Sequence, residues 1–360
     1  MSASDVTERI RVLIVDDSAL VRELLSGILS SDPELEVVGV APDPLVARDK
    51  IKQLKPDVLT LDVEMPHMNG IDFLERIMRL RPMPVVMIST LTTEGADTTL
   101  RALELGAVDY VAKPTRKLSE SMTVLSEEIR TKVKTAARAR VRGNAPSKPA
   151  VAASKSEAEA ASGQPRFPHL DVIGIGASTG GVEAIGEILA TIPRDAPGIA
   201  IVQHLPESFT GRFAARLDAS LPVLNVVEAR DGAPILPGTV HVGRGGRDFE
   251  VARDMNGRPI CRLVEGAPGA LHTPSIDRLL TSLARFGKRS AGVILTGMGR
   301  DGAAGLKVMR DAGALTIAQD AATAVVYGMP RVAVESGAAA LQLPLQRIAQ
   351  AMLDPPPPTE

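Results

Sequence analysis

The sequence predicts an α/β protein with two doubly wound parallel-sheet domains joined by a flexible linker. Short, nearly continuous apolar segments alternate with amphipathic helical segments, the pattern of parallel strands covered on both faces. The chain has 360 residues, enough for about two domains of ordinary size. A stretch rich in Ala, Ser, Pro, Lys and Glu separates the two alternating regions. We therefore expect domains at 8–126 and 169–350, with a helix end and linker at 127–168.

Composition and charge narrow the possible classes of protein. Hydrophobic residues make up 44% of the chain and charged residues 23%, while the formal net charge is −2. This balance gives no overall attraction to nucleic acid or to an anionic membrane. The basic residues near 130–142 lack interleaved aromatic residues, so we interpret them as a solvated helix end. Because there is one cysteine and no apolar run of ~20 residues, we expect a cytoplasmic protein without membrane insertion or nucleic-acid binding.

The first domain is predicted from five strand–helix units. The predicted strands are Ile10–Val15, Val37–Val40, Val58–Asp62, Val85–Ser89 and Asp109–Ala112. Helical segments follow near 20–29, 44–54, 70–80 and 95–105, and from about 118. In a parallel sheet of this kind, ligands bind at the carboxyl ends of the strands.

Polar side chains follow the predicted strands at that edge. Asp16 and Asp17 end the first strand, and Asp62 ends the third. Three carboxylates that meet at one edge repel one another unless they share a hard cation such as Mg²⁺. Ser89 and Lys113 end the fourth and fifth strands, and they offer the hydroxyl and the ammonium that a phosphoryl group requires. The pattern predicts a cation and phosphoryl site.

The motifs of this half resemble those of the response-regulator receiver family. They are DDS at 16–18, LDVEMP at 61–66 with NG at 69–70, and YVAKP at 110–114. The resemblance implies a flavodoxin-like receiver in which Asp62 accepts the phosphoryl group. It implies that Asp16, Asp17 and Asp62 bind Mg²⁺. It also implies that Ser89 and Tyr110 act as switch residues and that Lys113 contacts the phosphate.

The second domain opens with an apolar strand, a glycine-rich turn and a helix over residues 172–189. Ser178 lies in the turn, where a helix N-terminus favours an anion and would suit a serine nucleophile. Two other interpretations stay open on these residues alone. Ser178 could be the helix N-cap. Alternatively, the turn could be a dinucleotide loop, because Gly174, Gly176 and Gly180 approach the G-x-G-x-x-G pattern although Thr179 replaces its third glycine.

Two later strands supply the partners that a serine nucleophile needs. The strand at 198–202 is followed by Gln203 and His204. A dinucleotide cofactor would require an acidic residue at this strand end to bind its ribose. If the two strands are parallel neighbours ~4.8 Å apart, Ser178 and His204 emerge side by side. Asp301 follows a third apolar strand and precedes a helix, so alone it could be an N-cap. Together the three predict a nucleophile, a base and an orienting acid.

Four other residues of this domain have side chains of types that are often catalytic. Cys261 lies in a strand-like apolar run, so we expect it to be buried rather than nucleophilic. His169 is expected at the surface, and His241 is expected within a strand. His272 lies in a polar loop and is a candidate substrate contact.

The second half resembles the chemotaxis protein-glutamate methylesterase (CheB) family. The resemblance rests on IGIGASTGG at 173–181, QHLP at 203–206, RDG at 230–232, ILTGMG at 294–299, AQD at 318–320 and GMP at 328–330. It implies a Rossmann-like catalytic domain with Ser178, His204 and Asp301 as its triad. Thr179 and Met298 match positions that line the oxyanion region.

The resemblance also implies an activity and partners. The activity is hydrolysis of glutamate methyl esters, and deamidation of glutamines, on the cytoplasmic domains of chemoreceptors. No cofactor is implied for the esterase reaction, and a chemotaxis histidine kinase would be the phosphodonor. We expect the unphosphorylated receiver to cover the edge that carries Ser178, and phosphorylation of Asp62 to expose it. A non-catalytic phospho-regulated binding module and a dinucleotide-dependent enzyme remain as alternatives.

Overall fold

The computed structural model describes residues 8–65, 68–89, 93–113, 122–141 and 167–354. The chain divides into two compact units between residues 146 and 147, and each unit is described by itself. His67, Pro114 and most of the predicted linker lie outside the described residues.

Among the described residues of the first unit, five parallel strands form a sheet in the order β2-β1-β3-β4-β5. The strands are β1 (Ile10–Val15), β2 (Leu35–Ala41), β3 (Val58–Asp62), β4 (Val85–Ser89) and β5 (Asp109–Ala112). The helices are α1 (Ala19–Ser30), α2 (Pro44–Leu54), α3 (Gly70–Leu80), α4 (Thr93–Glu104) and α5 (Met122–Ala137). This is the flavodoxin-like order, as the sequence predicted.

The helix starts of this unit follow from capping side chains. Ser18, Asp43 and Asn69 each accept a backbone N–H in the first turn of α1, α2 and α3, respectively. Such caps satisfy amides that have no partner within the helix. The strands between the helices are apolar because both faces of the sheet are covered; β3 and β4 are buried along their whole length.

The last helix of the first unit belongs to its packed core. Ile129, Val133 and Ala136 on α5 are fully buried. Lys132 Nζ donates to the carbonyl oxygen of Tyr110 at 2.7 Å. The first unit therefore extends past residue 126, and the prediction of a solvated helix end is wrong for Lys132. The physical reason is that one face of α5 packs on the sheet and the stem of Lys132 lies along that face.

In the described part of the second unit, seven strands form a parallel sheet in the order β14-β13-β12-β6-β7-β9-β8. These strands are β6 (Val172–Ala177), β7 (Gly198–Gln203), β8 (Asn225–Glu228), β9 (Thr239–Val242), β12 (Ser290–Ile294), β13 (Leu315–Gln319) and β14 (Leu341–Leu343). An antiparallel hairpin, β10 (Arg247–Arg253) and β11 (Pro259–Glu265), stands apart. The helices are α6 (Gly181–Leu189), α7 (Glu207–Ser220), α8 (Ile276–Leu283), α9 (Ala303–Asp311), α10 (Met329–Glu335) and α11 (Leu345–Leu353).

Strand β6 lies at the centre of this sheet and fixes where the functional edge is. Gly176 pairs with Ile294 of β12 on one side and with Val202 of β7 on the other. Gly174 and Gly176 have no room for a side chain, because α8 packs directly on them through Leu283 and Ile276. The two glycines therefore serve the contact between helix and strand, and the chain segments after β6, β7 and β12 leave the sheet side by side.

Three residues of this unit lie where their sequence contexts predicted. Cys261 is fully buried in its core, and His241 lies buried within β9. His169 is exposed before β6. In the described portion of the chain, no helix combines the length and the apolar character that crossing a membrane demands.

Candidate active site

Ser178, His204 and Asp301 meet at the carboxyl edge of β6, β7 and β12. Nδ1 of His204 lies 3.2 Å from Oγ of Ser178, and Nε2 lies 2.9 Å from Oδ2 of Asp301. The side chains of His204 and Asp301 are 9% and 13% exposed. The structure thus brings the three predicted residues into one hydrogen-bonded chain that reaches the surface at the serine.

The turn after β6 holds Ser178 by its backbone. Its N–H donates to the carbonyl oxygen of Thr296 at 3.0 Å. Its own carbonyl oxygen accepts the N–H of Gly181 at 2.8 Å and Nε2 of Gln203 at 2.9 Å. The N-cap of α6 is Gly180, in the left-handed region with φ 76°. The N-cap interpretation of Ser178 is therefore wrong, and its hydroxyl is available to His204.

Thr179 and Met298, the predicted neighbours of an oxyanion, border the same turn. The carbonyl oxygen of Thr179 accepts the hydroxyl of Thr296 at 2.9 Å. Met298, which is 38% exposed, follows Gly297. The backbone of Gly297 packs so closely on Ser178 that an added Cβ would lie 2.7 Å from the serine Cβ. Thr296 and Gly297 were missed as supports of the serine, because only the packing of β12 against β6 shows that they touch it.

The described structure gives the carboxylate of Asp301 four hydrogen-bond donors. Oδ1 accepts the hydroxyl of Ser275 at 3.0 Å and the N–H of Asp277 at 2.9 Å. Oδ2 accepts the N–H of Ile276 at 2.8 Å and Nε2 of His204 at 2.9 Å. Asp301 therefore lies at the N-terminus of α8, which is remote from it in sequence.

The interpretation of Asp301 as the N-cap of its own helix is wrong, because α9 begins after Gly302. Burial by itself raises the pKa of Asp301. The hydrogen bonds from His204 and from the amides of Asp277 and Ile276 outweigh burial and hold the pKa well below its usual value. The group is consequently an anion that can stabilise a protonated imidazole.

His272 occupies a place that the sequence could not show. Its ring stacks on the ring of His204, with centroids 4.0 Å apart and planes 16° apart. The side chain therefore lies against His204, where the sequence predicted only a contact with substrate.

A second cluster lies at the carboxyl edge of the first unit. The carboxylate oxygens of Asp16, Asp17 and Asp62 lie within 4.8 Å of one another. Lys113 Nζ is 2.7 Å from Oδ2 of Asp62 and 3.8 Å from Oδ2 of Asp16. A cleft lined in part by Asp17, Glu64 and Lys113 opens above them. The residues predicted for the phosphoryl site are thus together.

The electrostatics of this cluster favour a cation. Burial raises the pKa of Asp62 to about 6, against the lowering effect of Lys113. Burial also raises the pKa of Asp16. Among the described residues, Oδ2 of Asp16 is buried and accepts no hydrogen bond. Because a buried carboxylate oxygen normally has a partner, and because the donor set is oxygen only, the three acids fit Mg²⁺.

The two predicted switch residues lie on β4 and β5. The hydroxyl of Ser89 lies 2.7 Å from the hydroxyl of Thr99. Tyr110 is buried, which raises the pKa of its hydroxyl. Nζ of Lys132 lies 4.8 Å from the centroid of the tyrosine ring. Thr99 and Lys132 were missed, because each becomes a neighbour only when its helix packs on the sheet.

Comparison with known proteins covers nearly the whole chain. The family described as CheB methylesterase matches residues 173–352, and the family described as response regulator receiver domain matches residues 12–123. The chain is 54% identical to protein-glutamate methylesterase/protein-glutamine glutaminase 1 of Caulobacter vibrioides over 348 residues, 96% of this chain and 98% of that one. It is 52% identical to the second such protein of Pseudomonas aeruginosa over 345 residues, 96% of each chain.

A solved structure is also similar to the second unit. It is the Thermotoga maritima CheB methylesterase catalytic domain, 34% identical with a TM-score of 0.49, over 51% of this chain and 98% of that one. On the strength of the family matches and of the relatives that align from end to end, the chain belongs to the CheB methylesterase family, with a response regulator receiver domain preceding its esterase domain.

Proposed function

We propose that this protein is a phosphorylation-activated serine hydrolase that removes methyl esters from glutamate side chains of chemoreceptors and deamidates their glutamines. One observation carries the proposal: the hydrogen-bonded chain from Ser178 through His204 to Asp301. The names of the relatives supply the substrate class. The cytoplasm is the proposed location, because the receptor domains that carry these glutamates lie there.

The proposed reaction begins with a defined histidine tautomer. The carboxylate of Asp301 receives four donors, so Nε2 of His204 must carry a proton toward it. Nδ1 is then the unprotonated nitrogen that faces the Ser178 hydroxyl. A base in this state can take the serine proton as the oxygen attacks a carbonyl carbon.

The covalent steps follow from this arrangement. Oγ of Ser178 forms a bond to the ester carbonyl carbon, and His204 receives the hydroxyl proton. When the tetrahedral intermediate collapses, the bond to the methoxy group breaks and His204 returns the proton, so that methanol leaves. Water then attacks the acyl-enzyme, and His204 takes its proton. When the second tetrahedral intermediate collapses, the bond between the acyl carbon and Oγ of Ser178 breaks, His204 returns the proton to Oγ, and the glutamate leaves as its carboxylate. A glutamine amide follows the same steps with ammonia as the leaving group.

The oxyanion of the tetrahedral intermediate needs donors beside the serine. Backbone groups near Thr179 and Met298 and the N-terminus of α6 lie beside this turn. A helix N-terminus carries a partial positive charge that favours a developing anion. Preorganised donors of this kind act on the transition state more than on the bound ester.

The receiver is proposed to regulate the esterase through a phosphoryl group on Asp62, with a chemotaxis histidine kinase as the phosphodonor. Asp16, Asp17 and Asp62 are the residues that would hold Mg²⁺, which when bound would neutralise the negative charge of the phosphoryl group. Lys113, at 2.7 Å from Asp62, would contact the phosphate. The added charge of about −1.5 to −2 would draw Ser89 and Tyr110 into new positions.

The decisive experiment measures methanol release from methylated receptor membranes with and without acetyl phosphate and Mg²⁺. We expect Ser178→Ala to abolish release, and Ser220→Ala, on the exposed end of α7, to leave it unchanged. We expect Asp62→Ala to retain basal release and to lose the stimulation by acetyl phosphate. Methanol release by Ser178→Ala would contradict the serine mechanism. If acetyl phosphate still stimulated methanol release by Asp62→Ala, the proposed regulation would be wrong, while the serine mechanism would stand.

The same assay separates the two alternatives. A binding module would release no methanol from any variant, although it could still bind receptor. A dinucleotide-dependent enzyme would bind nicotinamide or flavin nucleotides in a fluorescence titration, and we expect no such binding. The contacts of Gly174 and Gly176 with α8 argue in the same direction, because the helix fills the space over these glycines.

A further inference from the structure

We propose that Ser275 is a positioning residue of the esterase, which holds Asp301 in place through its hydroxyl and through the first turn of α8. This inference rests on the proposed function, because it assigns Asp301 the role of orienting His204. It adds a fourth side chain to the hydrogen-bonded chain that runs from Ser178 to Asp301.

The hydroxyl of Ser275 makes two contacts of opposite kind. It donates its proton to Oδ1 of Asp301 at 3.0 Å. Its oxygen accepts the backbone N–H of Arg278 at 3.4 Å, so Ser275 is also the N-cap of α8. Because an amide N–H can only donate and a carboxylate can only accept, the direction of both bonds is fixed. The same hydroxyl group therefore caps α8 and binds Asp301.

The start of α8 is itself braced against strand β10. The N–H of Ser275 donates to Oδ1 of Asp248 at 2.8 Å. Arg278 binds Oδ2 of Asp248 at 3.1 Å and Oε1 of Glu250 at 2.9 Å. Asp248 is 1% exposed. This charge-assisted brace, of which Asp248 is the buried member and Arg278 is partly exposed, limits how far the first turn of α8 can move relative to β10.

Two further contacts set the position of α8 over the functional edge. Ile276 is fully buried and packs directly on Gly176 of β6. The carboxylate of Asp277 accepts the N–H of Gly305 at 2.7 Å and so ties α8 to α9. The three donors that α8 presents to Asp301 are therefore held at a fixed height over the strand that ends in the serine. Preorganisation of this kind is what a precise site requires.

The negative charge of Asp301 is shared between the donors of α8 and the imidazole of His204. With four donors, Asp301 divides its hydrogen-bonding capacity between α8 and His204. Without the hydroxyl of Ser275, the carboxylate is freer to rotate and attracts the imidazolium proton more strongly. In the described part of the chain, Asp277 on α8 and His272, whose ring lies on His204, are the ionisable groups that the structure shows against this pair. Both side chains are retained when Ser275 is replaced.

Three substitutions separate the positioning role from the capping role. Ser275→Ala removes both the cap and the donor. Ser275→Asp retains a good N-cap acceptor but places a second carboxylate beside Asp301, with no proton to donate at neutral pH. Ser275→Thr retains both functions. For Ser275→Ala we expect kcat to fall by about 10–100-fold, the range that corresponds to one hydrogen bond to a charged group, at an unchanged KM. We expect a larger fall for Ser275→Asp and recovery of most of the rate for Ser275→Thr.

The test uses the full-length protein in the methanol-release assay, with unfolding measured in parallel. We expect the acid limb of the pH–rate profile of Ser275→Ala to move to higher pH, a change that loss of a cap alone would not cause. Asp43→Ala, which removes the N-cap of α2 in the receiver, is the control for lost capping and should leave the profile in place. Wild-type rates and profiles for both Ser275→Ala and Ser275→Asp would overturn the inference. A wild-type protein that releases no methanol would instead overturn the proposed function.

Discussion

The ring of His272 lies on the ring of His204, with centroids 4.0 Å apart and planes only 16° from parallel. The edge of the His204 ring is already engaged, since its two nitrogens face Ser178 and Asp301. The stack covers one face of the ring as well. Hydrogen bonds therefore limit movement of the imidazole within its own plane, and the stacked ring of His272 limits movement out of that plane.

This arrangement predicts that His272 supports His204 by stacking its flat ring on it, and that the ring nitrogens of His272 are not essential. We expect His272→Ala to lower kcat by about 2–10-fold, because an aromatic pair is worth ~0.5–1.5 kcal/mol. His272→Phe retains a flat ring of similar size and should keep most of the rate. The measurement is kcat and KM for methanol release by the two variants. If His272→Phe lost as much activity as His272→Ala, the ring nitrogens of His272 would be essential and the stacking explanation would be wrong.

The four donors around Asp301 predict a severe effect of Asp301→Asn. The amide offers a single acceptor oxygen, and its NH₂ group would face N–H and O–H donors of α8. It also favours the wrong tautomer of His204. We expect kcat to fall by ~10³–10⁴-fold, with KM little changed. The check is single-turnover methanol release, and a fall of less than tenfold would contradict the assigned role.

The same carboxylate links stability to pH. Folding lowers the pKa of Asp301 below its ordinary value of 3.8. The ionised form is thus stabilised by folding, so the contribution is present above about pH 4 and is lost as the pH falls through the folded-state pKa. We expect urea unfolding to show a lower stability of Asp301→Asn at pH 7 and a smaller difference from wild type near pH 3. A difference that grew in acid would have the wrong sign.

The contact between Gly297 and Ser178 predicts that one added methyl group impairs the nucleophile. In Gly297→Ala the new Cβ would lie 2.5 Å from Sδ of Met329 and 2.7 Å from Cβ of Ser178. We expect a loss of ~1–3 kcal/mol in stability and a lower kcat, because the serine must shift. Gly186→Ala on α6 is the matched control, since its nearest neighbour would be 4.0 Å away. That variant should keep full activity and gain ~0.5–1 kcal/mol in stability.

Burial of Cys261 predicts an inert thiol. Burial raises the pKa of this thiol to about 12, and the side chain is fully enclosed. A thiol in this state forms little thiolate at neutral pH. We expect a thiol-specific reagent to label the unfolded protein and to leave the native protein unlabelled and fully active. Rapid inactivation of the native protein by such a reagent would restore Cys261 as a candidate nucleophile.

Much of the fold could be predicted because its strands are short apolar runs that end in polar residues. The predicted bounds of β3, β4 and β5 agree with the structure. The same logic brought Ser178, His204 and Asp301 to one edge, because parallel strands end at the same edge. Sequence patterns are sufficient for these features, since each depends on local periodicity and on the rule for parallel sheets.

The supports of the site could not be predicted, because they depend on how helices sit on the sheet. Ser275 follows His272 in a stretch that the sequence shows only as a polar loop, and its bond to Asp301 depends on the packing of α8 on Gly176. Lys132 reads as one basic residue among several, and its place over Tyr110 follows from the packing of α5. No local pattern encodes the distance between a helix and a strand that are remote in sequence.

The central position of β6 between β12 and β7 has a consequence for how the protein is made. The ribosome adds ~5–20 residues per second, so Asp301 is synthesised on the order of ten seconds after Ser178. During that interval β6 lacks its neighbour β12, and neither Thr296 nor Gly297 supports the serine turn. A chain that ends before Asp301 is thus expected to have an unreactive Ser178. We expect esterase activity only after nearly the whole second unit has been synthesised and has folded.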